Sequence, residues 1–163
     1  MCNDKLIKVL FFHLCIVLIT ASSFGQSKNI EFDHYSPNDG WSNGYVHSII
    51  QDSKGFLWIG TANGLNRFDG ISFKTYYFDP IDSTSIPGNG ATSLIEDSLG
   101  NIWVMTTSGI CVYNRKKDNF SRKRFNINGI KTNNLFLNAC FIDSKGFLWV
   151  AVSNSGIFRF KLY

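Results

Sequence analysis

Residues 46–70 read VHSIIQDSKGFLWIGTANGLNRFDG. Two later stretches repeat the pattern: ATSLIEDSLGNIWVMTTSGICVYN over 91–114 and LNACFIDSKGFLWVAVSNSGIFRFK over 137–161. Asp52, Asp97 and Asp143 fall 45 and 46 residues apart, as do Gly55, Gly100 and Gly146, and Trp58, Trp103 and Trp149. A second glycine recurs as Gly64, Gly109 and Gly156, with one residue inserted in the third copy. An aromatic follows four residues later each time, as Phe68, Tyr113 and Phe160. Self-similarity at a fixed period is the signature of a repeat architecture and governs the reading of every element inside it.

Each copy predicts short strands. Residues 46–51 form the first and 56–61 the second. Between them, Asp52 can hydrogen-bond its own backbone while Gly55 takes a positive φ, which is turn chemistry. A third strand over 65–69 is entered through Ala62-Asn63-Gly64, where Asn-Gly favours a tight hairpin. A fourth spans 72–78, with Phe73, Thr75 and Tyr77 alternating against Lys74 and Tyr76. The second copy supplies the same set, ending near 120–125, and the third supplies three strands by Tyr163. Four strands in about 45 residues make a β-propeller blade. The predicted fold is therefore all-β: an incomplete β-propeller of about two and three-quarter four-stranded blades, with repeats at 46–78, 91–125 and 137–163. One strand of each blade lines the central channel and the last lies at the rim. The repeated Asp and Gly residues are expected to form turns, and the repeated Trp to pack one blade on the next. Residues 30–35 read as one further strand, suited to complete a blade elsewhere in a ring.

Composition agrees. Charged residues are 17% and aromatics 15%, with a net charge of +4 over 163 residues. Few charges and many aromatics exclude intrinsic disorder, and the absence of a Gly-X-Y period or an Ala/Glu/Lys/Leu-rich run excludes collagen and coiled coil.

The first residues follow another grammar. Lys5 and Lys8 give a positive start, residues 9–19 are apolar except for His13, and Ala21, Ser22, Ser23 and Gly25 follow as small residues. This is the layout of a secretory signal peptide, here residues 1–25, with residues 26–163 left as the partial propeller. The apolar run falls short of the roughly 20 residues that a membrane-spanning helix needs. An uncleaved anchor and a buried core helix are the alternatives. Removal of residues 1–25 leaves 14 basic and 11 acidic residues, a net charge of +3, and only Cys111 and Cys140 of four cysteines. Two cysteines are no disulfide framework, and both read as small buried hydrophobes. Export gives a periplasmic location and argues against a nucleic-acid partner.

The run V-x-S-I-x-Q-D-S-K-G-x-L-W-I-G-T-x-N-G-L-N-R-F-D-G resembles the two-component regulator propeller repeat. Its lead-in, Asp39-Gly40-Trp41-Ser42-Asn43-Gly44-Tyr45-Val46, is similar to the family's usual Gly-Leu-Ser-Asn-type connector, with Trp41 where Leu is common. The second copy departs at Met105-Thr106, and the third at Ala151-Val152 and its insertion. The resemblance spans about residues 30–163. It implies the sensor half of a hybrid two-component system of Bacteroidetes-like bacteria, with two propellers and an immunoglobulin-like domain before a membrane helix and a cytoplasmic histidine kinase. It also implies sensing of oligosaccharides. No second hydrophobic span and no kinase nucleotide-binding motif occurs in this sequence.

Nothing in the sequence assembles a catalytic constellation. HExxH, CxxC, G-x-S-x-G and P-loop motifs are all missing, so neither a cofactor nor a metal is expected. His34 and His47 sit in no motif. Glu96-Asp97 is an adjacent acidic pair, but neighbours on a strand point to opposite faces. Arg115, Lys116, Lys117, Arg122, Lys123 and Arg124 form one basic cluster around Asp118. It reads either as a site for an anionic partner or as a solvated outer hairpin whose charges blunt an edge strand. Binding residues of propellers come from loops, here the connectors at 36–45, 80–90 and 126–134. Trp41, Asn43, Tyr45, Asn89, Asn133 and Asn134 combine the rings and amides that suit sugar stacking and hydrogen bonding, with packing of Trp41 and Tyr45 over the blade as the alternative. The expected function is ligand sensing without catalysis. A free-standing carbohydrate- or protein-binding propeller module is the alternative, and a fragment of a propeller lyase a more remote one. Uncapped repeats rarely stand alone, so the mature chain is expected to need further blades or another copy of itself, and to aggregate or self-associate without them.

Overall fold

The computed structural model describes residues 31–124 and 137–162, with 4, 8–9, 11–13, 126–127 and 130–131. The chain divides into two compact units, Met1–His34 and Tyr35–Tyr163. In the first, residues 4, 8–9 and 11–13 are helical. There the Val9 carbonyl lies 2.9 Å from His13 Nδ1. No described helix is long and apolar enough to cross a membrane. Residues 21–25, where the sequence reading expects cleavage, lie outside the described residues, as do Cys2 and Cys15.

The second unit is all-β. A four-stranded antiparallel sheet runs β1 (Val46–Gln51), β2 (Leu57–Thr61), β3 (Gly64–Phe68) and β4 (Phe73–Tyr76) in spatial order. The next has the same order: β5 (Ala91–Glu96), β6 (Ile102–Thr106), β7 (Gly109–Asn114) and β8 (Asn119–Lys123). Two short strands, β9 (Asn126–Ile127) and β10 (Ile130–Lys131), pair with each other. The third sheet holds β11 (Leu137–Ile142), β12 (Phe147–Val152) and β13 (Gly156–Lys161). These three sheets are blades 1, 2 and 3 of an open propeller, and the fold agrees with the sequence expectation.

Each hairpin follows from local chemistry. Gly55, Gly100 and Gly146 sit at φ +90°, +79° and +77°, and each donates its N–H to the carbonyl of the Asp three residues before it. That left-handed conformation costs glycine nothing and other residues about 1 kcal/mol or more. The second hairpin of blade 1 has Ala62-Asn63 as its two loop residues, one position earlier than the Asn-Gly reading placed them. Thr61 closes it: its hydroxyl donates to the Gly64 carbonyl at 2.9 Å, as Thr106 does to Gly109. In blade 3 Val152 stands in that position without a hydroxyl. There the inserted residue widens the turn to residues 153–155, with Asn154 at φ +59°.

β1, β5 and β11 share an irregularity after their first residue, at Val46/Ser48, Ala91/Ser93 and Leu137/Ala139. Such bulges bend a strand and sharpen its twist. They recur on the first strand of each blade, and these strands lie against one another from β1 to β5 and from β5 to β11. Residues 31–35 form no strand. The strand expected over 30–35 is thus not seen in its described part, because an extended segment becomes a strand only where a neighbouring edge takes up its N–H and C=O groups. Ile30 lies outside the described residues.

The core lies between blades. One cluster joins Trp58, Leu65 and Tyr76 of blade 1 to Ala91, Leu94, Ile102, Val104, Cys111, Tyr113 and Phe120 of blade 2, with Ile86 of the connector. A second joins Trp103, Met105 and Ile110 of blade 2 to Leu137, Leu148, Val150 and Val152 of blade 3. Gly60 marks the closest approach, since a Cβ there would meet the Ala91 carbonyl oxygen at 2.6 Å. Each blade thus has a trailing face, turned toward the next blade in the chain, and a leading face, turned toward the previous one. Cys111 is buried and Cys140 half-buried, and both are free thiols, as expected of small packed side chains. Burial holds the Cys111 thiol well above its ordinary value, and burial against the Ser93 hydroxyl leaves Cys140 at about 11.

Candidate functional site

The repeated Asp and Trp act as one unit. Asp52 accepts the Lys54 and Phe56 amides on Oδ1 at 2.9 and 3.0 Å, and the Trp58 indole N–H on Oδ2 at 2.8 Å. Asp97 holds Leu99, Asn101 and Trp103 the same way at 2.9, 2.9 and 2.8 Å. Asp143 holds Lys145, Phe147 and Trp149 at 2.9, 3.0 and 2.9 Å. The carboxylate therefore closes its turn and fixes the indole whose ring packs the blade. The constant six-residue spacing from Asp to Trp was the signal for this pairing, which a reading of the two residues as separate turn and packing elements misses. Burial pushes the Asp52 carboxyl up. The Trp58 indole, the Arg115 guanidinium and the two amides outweigh it and hold the group below the usual carboxylate value. For Asp143 the Trp149 indole is the main cause of a lowered pKa.

Two polar clamps join blades 1 and 2. At the first, Arg67 lies over the Phe56 and Trp58 rings, 5.0 and 5.9 Å from their centroids. It donates to the Tyr113 hydroxyl at 2.5 Å and meets Asp118 at 3.3 Å. Asp118 also accepts from Tyr76 at 2.6 Å, from Tyr113 at 2.5 Å and from Lys74. Burial opposes its charge, but Lys74 and the two phenols overcome that and lower its pKa to about 2. At the second clamp, Arg115 bridges the buried Asp52 of blade 1 at 2.9 Å and Glu96 of its own blade at 3.3 Å. Glu96 accepts both the Ser53 amide and hydroxyl at 2.7 Å.

The innermost strands are clipped too. Leu94 N–H donates to the Ser48 hydroxyl at 3.2 Å, and one blade on, Cys140 N–H donates to the Ser93 hydroxyl at 3.2 Å.

The basic cluster is thereby divided. Arg115 serves the second clamp, and Arg122 donates to the Asp82 and Ser85 carbonyls at 3.0 and 3.1 Å, tying the connector to β8. Lys116, Lys117, Lys123 and Arg124 are exposed. Six charges adjacent in sequence thus become two inter-element struts and a solvated remainder.

The connector residues separate in a similar way. Tyr45 is 76% exposed. The Tyr45 carbonyl accepts the Ala62 amide at 3.0 Å, and the Asn89 carbonyl accepts the Gly64 amide at 2.7 Å. Both connectors therefore converge on the β2–β3 turn and bring Asn43, Tyr45 and Asn89 to one end of blade 1. Asn43 Oδ1 accepts the Tyr45 amide at 2.8 Å, and Asn89 Oδ1 accepts the Phe78 amide at 2.6 Å. Trp41 does not join them. It is half-buried, its ring stacks on Phe73 at 6.1 Å, and its Nε1 is buried without a partner. It occupies the repeat position that Ile86 fills in the next connector, where Ile86 is wholly buried between blades. Beside it, Ser42 clasps the buried Asn66 through its amide at 2.9 Å and its hydroxyl at 2.8 Å. Asn133 and Asn134 lie outside the described residues. No group of three or more His, Cys, Asp or Glu able to hold a metal occurs among the described residues.

Comparison with known proteins places this architecture. The two-component regulator propeller profile matches residues 40–63 and 85–108, each a connector with the first two strands of a blade. These are two-component regulator propeller repeats. The extracellular domain of a hybrid two-component system from B. thetaiotaomicron is 33% identical, with a TM-score of 0.70 over 80% of this chain and 19% of that one. Histidine kinase P4 of Formosa agariphila is 42% identical over 84 residues, 52% of this chain and 6% of that protein. The chain thus spans only a small part of both relatives. Virginiamycin B lyase from Staphylococcus aureus, at 17% identity and a TM-score of 0.56 over 83% of this chain and 47% of that one, shares the fold alone. The regulator propeller repeats here are thus similar to a segment of an extracellular domain of a hybrid two-component system.

Proposed function

We propose that this chain is the N-terminal, ligand-sensing propeller segment of an exported two-component sensor of the hybrid histidine kinase kind. It responds to oligosaccharides and performs no catalysis itself. The observation that carries this reading is the likeness, at 33% identity over 80% of the chain, to an extracellular domain of a hybrid two-component system. The signal-peptide grammar of residues 1–25 supports delivery to the periplasm. The convergence of Asn43, Tyr45 and Asn89 on one turn supports a ligand contact at that end of the blade, because an exposed ring beside amides suits sugar stacking.

Titration calorimetry of the chain against a panel of neutral and uronic-acid oligosaccharides tests the ligand class. Binding of one class, weakened about tenfold in Tyr45→Ala, a loss of about 1.4 kcal/mol, is the expected result. The same affinity in wild type and variant would remove Tyr45 from the site. Binding of none of the panel would remove the oligosaccharide. The reading frame beyond Tyr163 tests the rest. Further repeats, a membrane span and a histidine kinase support the sensor. A stop codon there, with glycan binding by the purified chain, identifies a free-standing module instead.

A further inference from the structure

Blade 3 presents on its trailing face the residues that blade 1 buries against blade 2. Phe141, Trp149, Ile157 and Arg159 stand where Ile50, Trp58, Leu65 and Arg67 stand in blade 1. Trp58 and Leu65 are wholly buried, whereas Phe141 and Ile157 are 61% and 71% exposed. Apolar side chains this open, grouped on one sheet face, mark an interaction surface.

Arg159 identifies what covers it. It lies over the Phe147 and Trp149 rings, 4.7 and 5.5 Å from their centroids, as Arg67 lies over Phe56 and Trp58. Arg67 extends from that platform to the Tyr113 hydroxyl and the Asp118 carboxylate of the next blade. The Arg159 side chain is exposed and makes no hydrogen bond or ion pair among the described residues. The junction between blades 2 and 3 shows the other solution. There Val112 replaces the arginine, Phe160 replaces the tyrosine, and both pack in an apolar cluster. Arginine on a trailing face thus meets a phenol and a carboxylate, and valine meets a phenylalanine.

We propose that the trailing face of blade 3 is a docking surface for a further propeller blade that presents a tyrosine hydroxyl and a carboxylate to Arg159. A second copy of this chain is the wrong occupant. The leading face of its blade 1 carries Phe68 at the tyrosine position, stacked on Phe73 at 4.5 Å and against Tyr35 at 5.4 Å. It lacks the phenol that Arg67 meets in Tyr113, and an arginine docked there would lose water without regaining that partner. The inference rests on the sensor-segment reading, but its test does not involve a glycan.

The test extends the chain after Tyr163 with a second copy of its own residues 69–125. That copy supplies a fourth strand for blade 3 and a following blade bearing Tyr113 and Asp118. Hydroxyl-radical footprinting should show Phe141 and Ile157 labelled in the 163-residue chain and protected in the extended one. Arg159→Ala should leave the urea midpoint of the 163-residue chain unchanged and lower that of the extended chain. Tyr113→Phe with Asp118→Asn in the appended copy should lower it likewise and add little to Arg159→Ala. Continued labelling of Phe141 and Ile157 after extension overturns the docking surface. An equal effect of Arg159→Ala in both chains overturns the role of Arg159. Self-association of the 163-residue chain that Arg159→Ala abolishes, seen by sedimentation, overturns the choice of occupant. None of these outcomes bears on whether the chain binds an oligosaccharide, so the two readings fail separately.

Discussion

The trailing faces of blades 1 and 3 carry nearly the same side chains in different surroundings. In both, an Asp fixes a Trp indole at 2.8 or 2.9 Å, and an Arg lies across that indole. In blade 1 the Trp is wholly buried, its Asp is paired with Arg115 of the next blade, and its Arg reaches Asp118. In blade 3 the Trp is half-exposed, and the neighbouring apolar residues face outward. The difference shows that the repeat builds each blade from within, while burial, and most of the stability that comes with it, is supplied by the next blade.

The sharpest way to break this comparison is to truncate the two indoles. Trp58→Ala should destabilise the chain by about 3–5 kcal/mol, because it opens a cavity in a packed inter-blade core. Trp149→Ala should cost markedly less, because the ring is already partly hydrated. Urea unfolding of the two variants measures both, and equal losses would mean that the blades do not depend on one another. Arg115→Ala comes next. It strips the buried Asp52 of its charged partner from blade 2, at a cost of about 1–3 kcal/mol. Asp143 has no arginine among its hydrogen-bond partners, so blade 3 holds no equivalent ion pair to lose among the described residues.

The smallest effect is expected from acid. Asp118 falls from the ordinary value of 3.8 to about 2 in the folded chain, so the unfolded chain binds the proton first. Its contribution is fully present above about pH 4 and is lost as pH falls through about 2. Its side chain is 36% exposed, which keeps the contribution modest. Asp118→Asn should therefore flatten the stability profile between about pH 4 and pH 2 and do little to its shape above that. An unchanged acid limb would show that the clamp between blades 1 and 2 is a surface feature rather than part of the interface.

Much of the fold was legible in the chain. Period, strand order and turn residues all follow from local chemistry that each copy repeats, and the strands of the three blades fall within a residue or two of their expected bounds, whereas the one expected over 30–35 is not seen in its described part. Trp41 was less legible. The sequence left open whether its ring is a sugar-stacking contact or packs over the blade; it is half-buried on Phe73 where the second connector has Ile86. Aligning the two connectors, rather than reading Trp41 alone, would have shown this. The basic run was less legible again, since adjacency in sequence says nothing about which of its charges reaches across to Asp52 or to the carbonyls of the 80–90 connector.

By itself, the sequence determined that this chain makes blades, because turns and strands depend on residues within about six positions of one another. Only the tertiary structure decided which residues are core, which charges are paired and which face is left open. Those outcomes depend on contacts between blades, 46 residues apart where Arg67 meets Tyr113 and Ser48 meets Leu94, and 63 apart where Arg115 meets Asp52. A side chain repeated three times can thus be a buried clamp in one copy and an unfilled surface in another, because the free energy of burial belongs to the pair of surfaces and not to the residue.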